Sequence, residues 1–169
     1  CVYPFEHWFH WNSILPQRQL IGGEFGENFT LEGLTEADVC IGDTFSVGSA
    51  VVQISQPRQP CWKLARRWQI KDLAVQVEQT GFTGWYFRVL QEGLVESNLR
   101  LRLTDRPYPE WTVSMANRIM HQERGNLKAA EQLSLCPLLS ASWQHTLRQR
   151  SRQQNSPEPQ QRQFGDPHA

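Results

Sequence analysis

Val39-Cys40-Ile41-Gly42-Asp43-Thr44-Phe45-Ser46-Val47-Gly48-Ser49-Ala50-Val51-Val52-Gln53-Ile54-Ser55 runs straight into Gln56-Pro57-Arg58-Gln59-Pro60-Cys61-Trp62-Lys63-Leu64. The first part is β-branched residues punctuated by two turn pairs, Gly42-Asp43 and Gly48-Ser49. It predicts three short antiparallel strands, over 39–41, 44–47 and 50–55. Close-set strands of this kind belong to a small barrel or sandwich. The second part carries two prolines within four residues. Each proline fixes φ, so the loop is stiff and delivers Cys61 at a set place just before a helical stretch.

Upstream, Tyr3-Pro4-Phe5-Glu6-His7-Trp8-Phe9-His10-Trp11 predicts a short aromatic helix with Pro4 in its first turn, where the missing N–H is harmless. His7 and His10, three apart, would share a face and make two metal ligands, but no third ligand is near in sequence. Residues 22–34 hold four glycines among polar and aromatic residues and read as a loop. They lack both the G-x-G-x-x-G order and the G-K-[ST] ending of phosphate-binding loops. Thr35 is placed to cap a brief helical turn.

Downstream, apolar spacing predicts one helix from Leu64 to about Gln79, ending at Thr80-Gly81. Strands follow over Gly84–Leu90 and Ser97–Thr104, the latter with Leu99, Leu101 and Leu103 on one face and Arg100 and Arg102 on the other. Arg106-Pro107-Tyr108-Pro109 breaks the β pattern. Beyond Trp111 the apolar spacing is helical, and Gly125 and Pro137 divide it into three short helices that need a surface to dock on. From Ser151 the chain is rich in Gln, Arg and Pro and reads as disordered.

The chain has 169 residues, 17 Lys+Arg against 17 Asp+Glu and a hydrophobic fraction of 39%. Zero net charge argues against a nucleic-acid or anionic-membrane partner, which selects for gathered positive charge. No apolar run approaches the roughly 20 residues of a bilayer span, and the start lacks the layout of a signal peptide. Cys1, Cys40, Cys61 and Cys136 form no C-x-x-C pair, which removes the common zinc, thioredoxin and iron–sulfur patterns. Sparse cysteines fit a reducing, cytoplasmic setting better than a disulfide framework.

Cys61 is the outstanding chemical candidate. It lies between Arg58 and Lys63 at the expected start of a helix, surroundings that stabilise a thiolate as nucleophile or metal ligand. A buried structural cysteine is the competing reading. Hydrolysis by a cysteine nucleophile needs a histidine base, and His7, His10, His121 and His145 all fall in flanking helical segments. Glu24 and Glu27 make an acid/base pair on paper, but a turn-capping role suits their loop better.

The run Phe25-Gly26-Glu27-Asn28-Phe29-Thr30, then Gly33-Leu34-Thr35-Glu36, Ile41-Gly42-Asp43 and Val52 through Leu64 with its Pro-Arg-x-Pro-Cys core, resembles the MOSC domain, named for the C-terminal domain of molybdenum cofactor sulfurases. The likeness continues through Thr80-Gly81, Gly84-Trp85-Tyr86 and Arg106-Pro107. Within the family it is nearest the stand-alone bacterial branch that reduces N-hydroxylated compounds such as 6-hydroxylaminopurine. The resemblance implies a mostly antiparallel β-barrel over 1–106, a three-helix appendage over 107–150 and a disordered tail over 151–169. It also implies a molybdenum cofactor (molybdopterin), with the Cys61 thiolate as molybdenum ligand. Arg58 and Lys63 would offset cofactor charge. Asn28 and Gln56 would hydrogen-bond the pterin, and Glu27 and Asp43 would shape the pocket or handle protons. The family as a whole also carries an association with pyridoxal phosphate.

The implied reaction is a two-electron reduction of a small N-hydroxylated substrate. Without cluster-type cysteine spacing, a separate flavin or iron–sulfur reductase is the expected electron donor. Family members have further barrel strands and a His-Gly-Gly motif ahead of the segment that matches Cys1-Val2-Tyr3-Pro4. On this resemblance the chain begins partway through the barrel and leaves an open edge. Two other functions remain open at this point: a cofactor-free remnant that binds or complements another chain, and a sulfur carrier using a Cys61 persulfide.

Overall fold

A computed structural model describes residues 1–15, 21–153 and 160–165. The molecule is built about β4, Ala50–Pro57. One edge of β4 pairs antiparallel with β3, Thr44–Val47, across the Gly48-Ser49 turn, as the alternation predicts. Its other edge pairs antiparallel with β5, Trp85–Gln91. β5 continues to β1, Val2–Pro4, which pairs in parallel with β2, Phe29–Leu31. β6, Arg102–Asp105, lies on the far edge of β3. The order is β2-β1-β5-β4-β3-β6, a mixed sheet curled into a half-barrel. β4 is buried along almost its whole length, which follows from cover on both faces.

Several local expectations give way to pairing. Tyr3 and Pro4 are strand residues, and the helix α1 begins only at His7 and runs to Ile14. Partners on both edges of β1 outweigh the helical pattern of its sequence. The glycine-rich loop contains β2 for the same reason. Val39–Ile41 forms no strand beyond a single bridge, Cys40 to Thr112, because Asp43 captures the Cys40 N–H at 2.8 Å. The long helix divides into α2, Trp62–Trp68, and α3, Leu73–Thr80. Gln69 turns left-handed between them at φ 55°. The strand expected over 97–104 shortens to β6, and Leu99 and Leu103 stay exposed.

Three helical pieces follow Trp111, divided at Gly125 and Pro137 as the breakers predict. They are α4, Val113–Asn117, extended by a π-helical turn over Arg118–Gln122, then α5, Leu127–Ser134, and α6, Ala141–Ser151. Thr112, Asn126 and Ser140 cap the three starts, accepting from the N–H groups of Met115, Ala129 and Trp143. These helices share one core with the sheet: Ile119, Leu133, Trp143 and Leu147 pack in the same cluster as Ile41, Phe45, Ile54 and Trp85. Each such side chain contributes about 1.5–3 kcal/mol by burial. A second cluster joins Tyr3, Trp8, Trp11 and Phe25 to Leu64, Leu73 and Val77 beneath α1, α2 and α3.

A register shift between Ile54 and Gln56 frees Ser55 from the β5 ladder. Its carbonyl accepts the Ser140 N–H at 2.9 Å, so the bulge becomes the docking point for α6. Within the stretch expected to be disordered, Gln160–Phe164 forms a short helix, α7; 154–159 and 166–169 lie outside the described residues. Among the described residues no helix is long and apolar enough to cross a membrane.

The His121 side chain, in the π-helical turn, is largely buried, with Nδ1 3.5 Å from Glu78 Oε2 and no partner on Nε2 among the described residues. Burial pushes it down to about 4, against the opposing pull of Glu78. The unfolded chain therefore takes up a proton near pH 6.5 that the folded chain refuses until about pH 4. Stability contributed by neutral His121 is full above pH 6.5 and is lost as the pH falls through that window. The gap in unfolding free energy between the parent and His121→Phe should therefore shrink by about 1–3 kcal/mol between pH 7.5 and 4.5. Urea titrations at the two pH values check this, and a pH-independent gap contradicts it.

Candidate functional site

β4 leads directly into the Pro-Arg-x-Pro-Cys segment. Past Pro57 the Arg58 N–H donates to the Gly84 carbonyl at 3.0 Å, and Arg58 Nη2 donates to the Phe25 carbonyl at 2.6 Å. One arginine thus fastens the motif to the start of β5 through its backbone and to the glycine-rich loop through its side chain. Cys61 stands immediately before α2 with extended backbone, φ −131° and ψ 169°. Its carbonyl accepts the Leu64 N–H at 3.0 Å, and its thiol is free and half-buried. The side chain does not cap the helix, which leaves the sulfur available to a ligand.

The glycine-rich loop is organised by Glu27. Its carboxylate accepts from Gly23 N at 2.6 Å, Phe25 N at 3.1 Å and Thr30 Oγ1 at 3.1 Å. This is the turn-capping role. Glu24 secures the loop to α2, accepting Trp68 Nε1 on its carbonyl at 3.1 Å and lying 3.4 Å from Arg67 Nη2. Asn28 clasps Cys1 at the head of β1: its N–H donates to the Cys1 carbonyl at 2.8 Å, and its Oδ1 accepts from the Cys1 nitrogen at 2.9 Å. Arg58, Glu27 and Asn28 are therefore gathered around one loop.

The remaining predicted residues lie elsewhere. Lys63 is exposed on α2, two residues after Cys61. Gln56 faces α6, donating to the Pro57 carbonyl at 3.2 Å and accepting from Ser142 Oγ at 3.5 Å. Asp43 is fully buried. It accepts from Cys40 N and is forked by Arg106, with Nη2 at 2.7 Å and Nε at 2.9 Å. That pairing pushes the Arg106 guanidinium up from its ordinary value, the hydrogen bond to Asp43 being the main cause. Asp43 is thereby committed to holding the Cys40–Asp43 turn against Arg106. A separate cavity of about 720 Å³ runs along α2 between Trp62, Ala65, Arg66, Gln69, Phe164 of α7 and Gly165 just after it. Cys61 and Arg58 do not line it.

The His7/His10 metal pair does not form. His7 is buried with Nε2 2.6 Å from Glu36 Oε2 and stacks on Phe82 at 3.9 Å. No group of three or more His, Cys, Asp or Glu side chains able to hold a metal ion occurs among the described residues. Sequence reasoning gave Glu36 no role beyond its place in the motif run. Its second oxygen accepts the Gly84 N–H at 2.6 Å, so Glu36 supports the residue whose carbonyl holds Arg58. Gly84 is required there: at φ +67° a Cβ would lie 2.1 Å from the Val2 carbonyl oxygen. The only sequence signal for this junction is that glycine, next to the Trp85 strand.

Residues 1–102 match the MOSC domain family. The chain belongs to it. Residues 111–153 match the YiiM-like 3-alpha helix domain, which places the chain in the bacterial YiiM-type branch. It is 49% identical to the uncharacterized protein YflK of Bacillus subtilis over 85% of its own length and 64% of that relative's. It is 36% identical to protein YiiM of Escherichia coli, over 89% of its own length and 67% of the relative's. The chain thus spans about two thirds of the length of these curated relatives. A protein of Gibberella moniliformis named "Reductase" is 30% identical over 79% of the chain and 24% of that protein. Among solved structures, YiiM from Geobacillus stearothermophilus superposes with a TM-score of 0.86 at 47% identity, over 89% of this chain and 77% of that one. YiiM from Escherichia coli gives 0.92 at 34% identity, over 98% and 83%.

Removing the Glu36 carboxylate strands His7 and the Gly84 N–H in the core. Glu36→Ala should lower the unfolding free energy by about 3–5 kcal/mol, read by urea denaturation at pH 7. A loss below about 1 kcal/mol, the scale of a single ordinary hydrogen bond, would show that the junction does not depend on this residue.

Proposed function

We propose that the protein is a molybdenum-cofactor-dependent reductase of small N-hydroxylated compounds, with the Cys61 thiolate ligating molybdenum. Membership of the MOSC family and the relative named "Reductase" support a molybdenum-related oxidoreductase at a coarse level. The observation that carries the finer reading is the state of Cys61: half-buried, without a hydrogen-bond partner among the described residues, and held by a proline-stiffened loop that also carries Arg58. A soft thiolate suits a high-valent metal, and Arg58 and Lys63, close to it in sequence, are cations that suit an anionic cofactor, so the residues present fit that group.

When bound, the cofactor supplies the oxygen-transfer and electron-storing chemistry. The chain's residues do the rest. Arg58 holds the glycine-rich loop against the motif and brings positive charge within the site. Lys63 adds a second, solvent-facing cation two residues beyond the thiol. Glu27 shapes the loop through its three bonds, which commit three of its roughly four lone-pair sites to the turn. Asp43, buried against Arg106, contributes rigidity instead of protons. A separate flavin or iron–sulfur reductase is the electron donor in this reading.

The test is metal analysis of the chain, expressed in a host that makes the cofactor, as parent and Cys61→Ala. The expected result is molybdenum near stoichiometric in the parent and close to background in the variant, with loss of hydroxylaminopurine reduction under a reduced dye. Equal molybdenum in both proteins, or none in either, overturns the assignment.

A further inference from the structure

We propose that α7 is a strap across the Cys61 loop and that Arg162 is the positioning residue through which it acts. The inference rests on the reading of Cys61 as the functional thiol. Arg162 Nη1 donates to the carbonyl of Pro60, the residue before Cys61, and Nη2 pairs with Glu78 on α3. Gln163 Nε2 donates to the same carboxylate at 2.7 Å. Gly165 lies against Trp62, the residue after Cys61; a Cβ there would meet the indole Cγ at 3.3 Å. Both sequence neighbours of Cys61 are thus held by a segment about a hundred residues away, while the thiol itself remains half-exposed.

Electrostatics explain why the strap docks there. Glu78 is 9% exposed, and a carboxylate so far from water needs a cation. His121 faces it at 3.5 Å but is neutral at pH 7. Arg162 therefore supplies the compensating charge. A helix as short as α7 is unstable alone, and its Phe164 is largely exposed. The consequence falls on the motif. Proline already fixes φ at Pro60, and the bond from Arg162 fixes the direction of its carbonyl, so the peptide entering Cys61 has one orientation. The cavity beside α2 stays open beneath α7, so the strap orients the loop without sealing it.

The experiment compares the full chain with Arg162→Ala and Arg162→Lys. The rate of Cys61 alkylation by iodoacetamide is read by peptide mass spectrometry, with half-buried Cys1 as internal reference, alongside amide exchange at Cys61 and Trp62. Loss of a charged hydrogen bond to the loop should raise both rates about tenfold in Arg162→Ala. The rate at Cys1 should stay at the parent value, and Arg162→Lys should return most of the effect because the charge facing Glu78 is restored. Unchanged Cys61 rates in Arg162→Ala overturn the proposal. So does an equal rise at Cys1, which would mean general loosening. Failure of the molybdenum reading would appear in the metal content of Cys61→Ala and would leave these rates as they are.

Discussion

A buried carboxylate connects the fold to the site. Glu36 lies between His7 on α1 and the Gly84 N–H at the start of β5. The Gly84 carbonyl then receives Arg58, and Arg58 holds Phe25. Taking a carboxylate out of water costs several kcal/mol, and the cost is offset only when its oxygens are fully bonded. Here each oxygen has a short partner. The requirement is strict enough to fix three segments that are remote in sequence, and it leaves one permissible residue at position 84, where a side chain would strike β1.

β4 supplies the complementary constraint. It is paired on both edges, so its course is set, and its bulge at Ser55 leaves one carbonyl for the helical appendage. Sheet and helices then close over a common core. Because β4 continues without a break through Pro57 into Arg58, the Cys61 loop starts from a strand paired on both edges. A thiol on such a support needs little reorganisation to bind a ligand.

Much of this was legible in the sequence where local chemistry and final structure agree. The Gly48-Ser49 hairpin, the β5 strand, the division of the last helices at Gly125 and Pro137, and the stiff loop delivering Cys61 all follow from turn residues and periodicity. What escaped depends on partners distant in sequence. Tyr3 and Pro4 look helical until β2 and β5 are placed beside them. The helix break at Gln69 uses a residue with no obvious preference for the left-handed region. Glu36 resembles an ordinary first-turn acid, and the Gln- and Arg-rich tail has too little apolar content to announce α7. For the site, Cys61 and Arg58 stood out because prolines frame them. The commitment of Glu27 to a turn and of Asp43 to Arg106 emerges only from their hydrogen bonds.

The functional account reduces to one bond, between the Cys61 sulfur and molybdenum, on a scaffold of the MOSC family. X-ray absorption at the molybdenum edge of the cofactor-loaded chain tests it most directly. The account predicts one sulfur ligand fewer in Cys61→Ser than in the parent; identical sulfur coordination in the two proteins would contradict it.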